Sequence, residues 1–194
     1  DHGFSLGHHG IWGHGLAAWP SSMLRPSYQV PLIIRGPGVA AGTNRGLVSQ
    51  LDIPNTLLSA AGVAPVDTPR QDSRAIDLSD PGRPHRDFLC LEQEETRAIR
   101  TAENLYVERF TSASVEPLAS EFYDLSSDPQ ERVNLGGTDQ PSPTESGLAA
   151  RMRDYFADHA DPAHDLWAGG RAKSNVTDPA FWQAAWGQNW RCTN

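Results

Sequence analysis

The sequence predicts an α/β protein: a layered strand-and-helix unit followed by a small antiparallel sheet with one helix. Two observations carry this. Early in the chain an apolar run ending in Gly36-Pro37-Gly38 precedes a capped amphipathic segment, the strand-then-helix order of α/β layers. From Phe88 onward, four short β-like runs in close order lead to a single helical pattern. The stretch from Val63 to His85, rich in Pro, Asp, Arg and Gly, reads as a surface connection, so the expected division is 1–84 and 85–194.

In chain order, Tyr28-Gln29-Val30-Pro31-Leu32-Ile33-Ile34-Arg35 predicts a strand buried on both faces, with Pro31 near its start where a missing N–H is tolerated. Asp52 is placed to cap a helix with Pro54 in its first turn and Gly62 at its end. Ile53, Leu57, Leu58 and Ala61 would form its apolar stripe. Runs over Phe88 to Glu92, Thr96 to Thr101, Leu105 to Phe110 and Glu121 to Leu125 predict strands, with Ala102-Glu103-Asn104 as a hairpin turn. Ser142-Pro143-Thr144-Glu145 has capping-box spacing, and Leu148, Met152, Tyr155 and Phe156 follow at helical intervals. Trp167, Trp182, Trp186 and Trp190 are expected to pack back on the body, since a buried indole removes a large apolar area from water.

A net charge of −8 with 16 scattered Lys and Arg residues offers no basic patch, which argues against nucleic acid as a partner. No apolar stretch approaches the roughly 20 residues of a membrane span. Cys90 and Cys192 lack metal-ligand spacing and read as free thiols, and Asn175-Val176-Thr177 is a sequon of little weight. The sequence begins without Met or a secretory leader, so it is expected to be the C-terminal portion of a longer protein.

Chemistry concentrates at the start. Asp1-His2-Gly3 puts a carboxylate beside an imidazole, and His8, His9 and His14 follow within the first fourteen residues, a composition suited to metal binding or proton transfer. Trp12 and Trp19 read better as core than as pocket lining. Arg97 and Arg100, alternating on one predicted strand, could reach an anionic substrate, although such residues more often form a solvated sheet face, and the sequence decides for neither.

Asp1-His2-Gly3, Leu6-Gly7-His8-His9-Gly10-Ile11-Trp12-Gly13 and Val30-Pro31-Leu32-Ile33-Ile34-Arg35-Gly36-Pro37-Gly38, in this order, resemble the second half of the sulfatase family. So do Val48-Ser49-Gln50-Leu51-Asp52-Ile53-Pro54-Asn55-Thr56-Leu57-Leu58 and Phe122-Tyr123-Asp124-Leu125 with Asp128-Pro129-Gln130-Glu131. The resemblance implies the C-terminal part of an alkaline-phosphatase-like α/β sandwich plus a small antiparallel-sheet-and-helix C-terminal subdomain. It implies metal-dependent hydrolysis of a small-molecule or glycan sulfate ester, with a formylglycine nucleophile made from Cys or Ser in a Cys/Ser-x-Pro-x-Arg motif, a motif expected to be absent from this chain and to lie in the missing N-terminal half. Asp1 and His2 would then be metal ligands, and the metal would be calcium, with manganese or zinc possible because imidazole is a poor calcium ligand.

Thirteen residues after the metal Asp, many sulfatases place a Lys that contacts sulfate, and here that position is His14. Its charge near neutral pH is conditional where that of Lys is nearly permanent. The resemblance leaves a phosphonate or phosphate ester hydrolase of the same superfamily, or a non-catalytic binder of sulfated glycans, as alternatives. By itself the chain is expected to be inactive.

Overall fold

The computed structural model describes residues 2–15, 20–67, 71–93, 95–110 and 118–169. A two-strand hairpin opens the described chain, β1 (Ser5–Leu6) against β2 (Trp12–Gly13). A single helical turn, α1 (Arg25–Tyr28), and the helix α2 (Asp52–Ala60) follow. Then comes an antiparallel sheet of β3 (Phe88–Gln93), β4 (Thr96–Thr101), β5 (Asn104–Arg109) and β6 (Glu121–Asp124), in that spatial order, and the helix α3 (Pro143–His159).

The sheet matches its period-2 pattern because both of its faces are covered. Ile99, Tyr106 and Phe122, paired across neighbouring strands, meet Leu148, Ala149, Met152 and Phe156 of α3. The alternate residues Ala98, Leu105, Val107 and Tyr123 face the other way, onto Met23 and Leu125. α3 starts as its sequence predicts: the Ser142 hydroxyl accepts the Glu145 backbone N–H at 3.1 Å. The Glu145 carboxylate is buried and accepts the Ser120 hydroxyl at 3.3 Å, tying the helix start to the strand before it.

Three expectations need correction. Residues 29–35 form no strand, and Leu32 and Ile33 are 45% and 91% exposed rather than buried. Pro31 removes one donor, and no described strand lies alongside to complete a ladder. In α2 the buried residues are the polar Asp52, Asn55 and Thr56, whereas Leu57 of the expected apolar stripe is exposed. The reason is the connection after α2, which lies along the polar face. Asn55 exchanges hydrogen bonds with the backbone of Val66 (2.9 and 3.1 Å), and Thr56 accepts the Ile76 N–H at 2.9 Å.

Arg97 and Arg100 are not on a solvated face. The Arg97 guanidinium is buried between the rings of Phe156 and Trp167, 4.0 and 4.2 Å from their centroids, and donates to Glu92 and Asp165. Arg100 donates to Glu131 and to the Tyr28 hydroxyl. Trp167 thus packs on the body as expected, edge-on to Phe110 as well. Trp182, Trp186, Trp190, Cys192 and the sequon lie outside the described residues. Cys90 is a free, half-buried thiol, and burial pushes its pKa up to about 12, which leaves it a poor nucleophile.

The connection to the sheet is a buried charge cluster. Arg86 donates to both oxygens of Asp52 and, at 2.6 Å, to Asp72, while His85 Nε2 lies 3.0 Å from Asp52. Burial alone would raise the Asp52 carboxyl. The hydrogen bonds from Arg86 and from the backbone N–H groups of Arg74 and Ser49 outweigh burial and hold it below the usual carboxylate range.

Candidate functional site

The hairpin carries the predicted site. Exposure alternates along both arms: Gly3, Ser5, Gly13 and Gly15 are buried, and His2, Phe4, Leu6, Trp12 and His14 are exposed. The buried set is small because the underside lies directly on neighbouring backbone. A Cβ on Gly3 would stand 2.1 Å from the Pro26 carbonyl oxygen, and one on Gly15 would meet Gln93 Oε1 at 2.2 Å. Hydrogen bonds from Gly3 N–H to the Ser27 carbonyl and from Ser22 N–H to the Gly15 carbonyl hold the two surfaces together. This is why the triplet at the start of the chain needs glycine.

On the outer side the structure brings His2 and His14 together, with ring centroids 5.2 Å apart and planes inclined at 56°. His2 Nδ1 is 2.8 Å from the Gly3 carbonyl oxygen. A carbonyl only accepts, so that contact requires Nδ1–H and assigns the ring lone pair to Nε2, the tautomer of a metal-ligating or proton-accepting imidazole. Asp1 lies outside the described residues. No group of three or more His, Cys, Asp or Glu that could hold a metal occurs among the described residues.

His8 and His9 form the hairpin tip, away from that pair in sequence and role. His8 Nδ1 accepts the Leu6 N–H at 3.2 Å. His9 sits in the left-handed region at φ 53°, between Gly7 and Gly10, which also have positive φ. Trp12, expected in the core, is 73% exposed, and Trp19 is outside the described residues. The sequence held a signal for this: small residues at every second position of both arms leave the larger ones on one outer face.

The sequence does contain one literal Ser-x-Pro-x-Arg run, Ser79-Asp80-Pro81-Gly82-Arg83, against the expectation that the nucleophile's motif lies wholly elsewhere. Structurally it is an exposed turn. Asp77 accepts both the Ser79 hydroxyl (2.6 Å) and the Arg83 guanidinium (3.1 Å), so these side chains serve the turn. An open cleft of about 430 Å³ beside α2, lined by Thr56, Ser59, Asp77 and Ser79 among others, contains none of the histidines.

A sulfatase family model matches residues 1–63. Choline-sulfatase of Rhizobium meliloti (strain 1021) is 28% identical over 177 residues, covering 83% of this chain and 30% of that protein. Human arylsulfatase K is 30% identical over 128 residues, 59% of this chain and 23% of that one. A solved protein in complex with its substrate D-glucosamine-2-N,6-O-disulfate aligns with a TM-score of 0.66 and 22% identity, over 82% of this chain and 33% of its own. The chain therefore spans less than a third of the length of choline-sulfatase and of arylsulfatase K. The chain shares its fold with that solved protein, and its first 63 residues are similar to the sulfatase family.

Proposed function

We propose that the full-length protein hydrolyses organic sulfate esters, small-molecule or glycan, and that the outer face of the β1–β2 hairpin forms one wall of its active site. The observation that carries this is the approach of His2 and His14 to 5.2 Å on that face. The matches to choline-sulfatase and arylsulfatase K support the reaction class.

In this reading Asp1 and His2 hold a divalent cation, calcium or, given the imidazole, manganese or zinc. That cation would neutralise a sulfate oxygen, and a formylglycine from outside these residues would supply the nucleophile. His14 holds a proton on a ring nitrogen and delivers it to the alcohol oxygen as the sulfur–oxygen bond breaks. The charge that develops on the departing oxygen is thereby neutralised in place, which is what a general acid contributes. The rigid underside fixed by Gly3 and Gly15 keeps the two imidazoles at one spacing through the reaction.

The test is hydrolysis of an aryl sulfate by the full-length protein, with and without chelator, beside an aryl phosphonate. Sulfate hydrolysis that chelation abolishes and His14→Ala lowers by about 10²- to 10⁴-fold fits the reading. Hydrolysis of the phosphonate alone, or of neither ester, overturns it. His14→Lys should retain activity, because an ammonium can also deliver a proton to the departing oxygen.

A further inference from the structure

We propose, resting on the reading of the hairpin as an active-site wall, that Glu95 and Glu131 are positioning residues of that site. These two buried carboxylates hold the 21–28 segment at its two ends and through it set where His14 and His2 stand. The hairpin lies on this segment. Gly3 donates its N–H to the Ser27 carbonyl at 3.2 Å, and the Ser22 N–H reaches the Gly15 carbonyl at 3.0 Å. His2 and His14 are each next in sequence to one of these glycines, so whatever fixes 21–28 also fixes the two imidazoles.

Each end of the segment has its own carboxylate. Glu95, in the turn between β3 and β4, accepts the Ser21 N–H on Oε1 at 2.8 Å and the Ser21 hydroxyl on Oε2 at 3.2 Å. Glu131, after β6, accepts the Arg25 N–H on one oxygen at 2.6 Å and Arg100 on the other at 2.8 Å. Arg100 in turn donates to the Tyr28 hydroxyl at 2.9 Å. Both glutamates are only 2% exposed, and a carboxylate is seldom buried unless donors meet its oxygens. Glu131 also stands at φ 57°, where the backbone favours Gly, Asn or Asp. The side chain's reach to Arg25 gives the reason for a glutamate there. Asp128 shapes the same turn by accepting the Arg132 and Val133 N–H groups, so the Asp128-Pro129-Gln130-Glu131 run serves to aim Glu131 at the segment. A small displacement matters because a shift of about 1 Å in a reacting group can cost on the order of 10²-fold in rate.

Full-length wild type is compared with Glu131→Gly, Glu131→Gln, Glu95→Ala and Met152→Ala on 4-nitrophenyl sulfate, with backbone hydrogen exchange over residues 2–15 read by mass spectrometry. Glu131→Gly deletes the carboxylate yet suits the positive φ, so the turn itself is spared. Met152→Ala opens the core on the sheet face opposite Met23 and reports what lost stability alone does. Glu131→Gly and Glu95→Ala should each lower kcat about 10- to 100-fold with little change in KM, and exchange over the hairpin should quicken roughly tenfold. Met152→Ala should leave both readouts within about twofold of wild type. Glu131→Gln has one acceptor oxygen for two donors and should fall between; being of the same size, it decides by the same two readouts should the others fail to fold. Unchanged exchange in the carboxylate variants overturns the proposal, as does a kcat that they retain or that Met152→Ala loses equally. Should wild type hydrolyse no sulfate ester, which sinks the reading beneath the proposal, exchange decides alone. Quickening in the carboxylate variants and not in Met152→Ala supports the anchoring, and any other pattern overturns it.

Discussion

Residues 2–85 and residues 86–169 are held together by different forces. The later part has a sheet covered on both faces, with Ile99, Leu105 and Val107 fully buried and α3 closing one side. The earlier part is organised around polar groups: Asp52 at the centre of a charge cluster, Asn55 and Thr56 bonded to passing backbone, and glycines resting on carbonyl oxygens. Several of its large apolar side chains, Ile33 and Leu57 among them, face outward. Apolar patterning states that a side chain belongs against something, and it does not state that the partner lies in the same stretch of chain. Exposed apolar surface of this kind ordinarily meets other protein surface.

The comparison can be broken most directly at Arg86. Arg86→Met leaves Asp52 buried without its cation, and a loss of about 3–5 kcal/mol in urea unfolding of the 194-residue chain is expected. A loss below about 1 kcal/mol would mean that the cluster does not organise the earlier part. Next comes Ile99→Ala, which opens a cavity between sheet and α3 and should cost about 3 kcal/mol by the same measurement.

Gly3→Ala drives a methyl group into the Pro26 carbonyl oxygen, and about 1–3 kcal/mol of strain is expected. Calorimetric melting of the variant reads this, and an unchanged melting temperature would show that the hairpin does not rest on the 21–28 segment. Acid sharpens the contrast further. The folded Asp52 carboxyl lies below its unfolded value, so its contribution is complete above about pH 4 and is lost as pH falls through the folded value. The stability gap between wild type and Asp52→Asn should therefore be full at pH 6 and shrink toward pH 3, and a gap that widened in acid would contradict the cluster. The smallest effect belongs to Ile33→Ser, within about 0.5 kcal/mol in this chain because the side chain touches little here.

The later part was legible in the sequence almost residue by residue. Alternation fixed β3 to β6 within a residue or two, and Ser142 with Glu145 marked the start of α3, because the partners of those patterns lie within the same eighty residues. The segment from Tyr28 to Arg35 was misread for the opposite reason: its apolar run is real, and no described strand stands beside it. The polar face of α2 was invisible because its partners are backbone groups of the following connection, which leave no periodic mark. At the site, His2 and His14 were legible as chemistry and do come together, whereas the exposure of Trp12 depended on which face of a two-residue strand lies down, decided by Gly3 and Gly15.

The hairpin's strict alternation also divides how its positions tolerate change. Residues 3, 5, 13 and 15 answer to the fold alone, since steric room disappears beneath them. Residues 4, 6 and 12 project outward and can vary in size and chemistry with little consequence for folding. Neighbouring positions of one short hairpin thus answer to different physical constraints, close packing beneath and open space above.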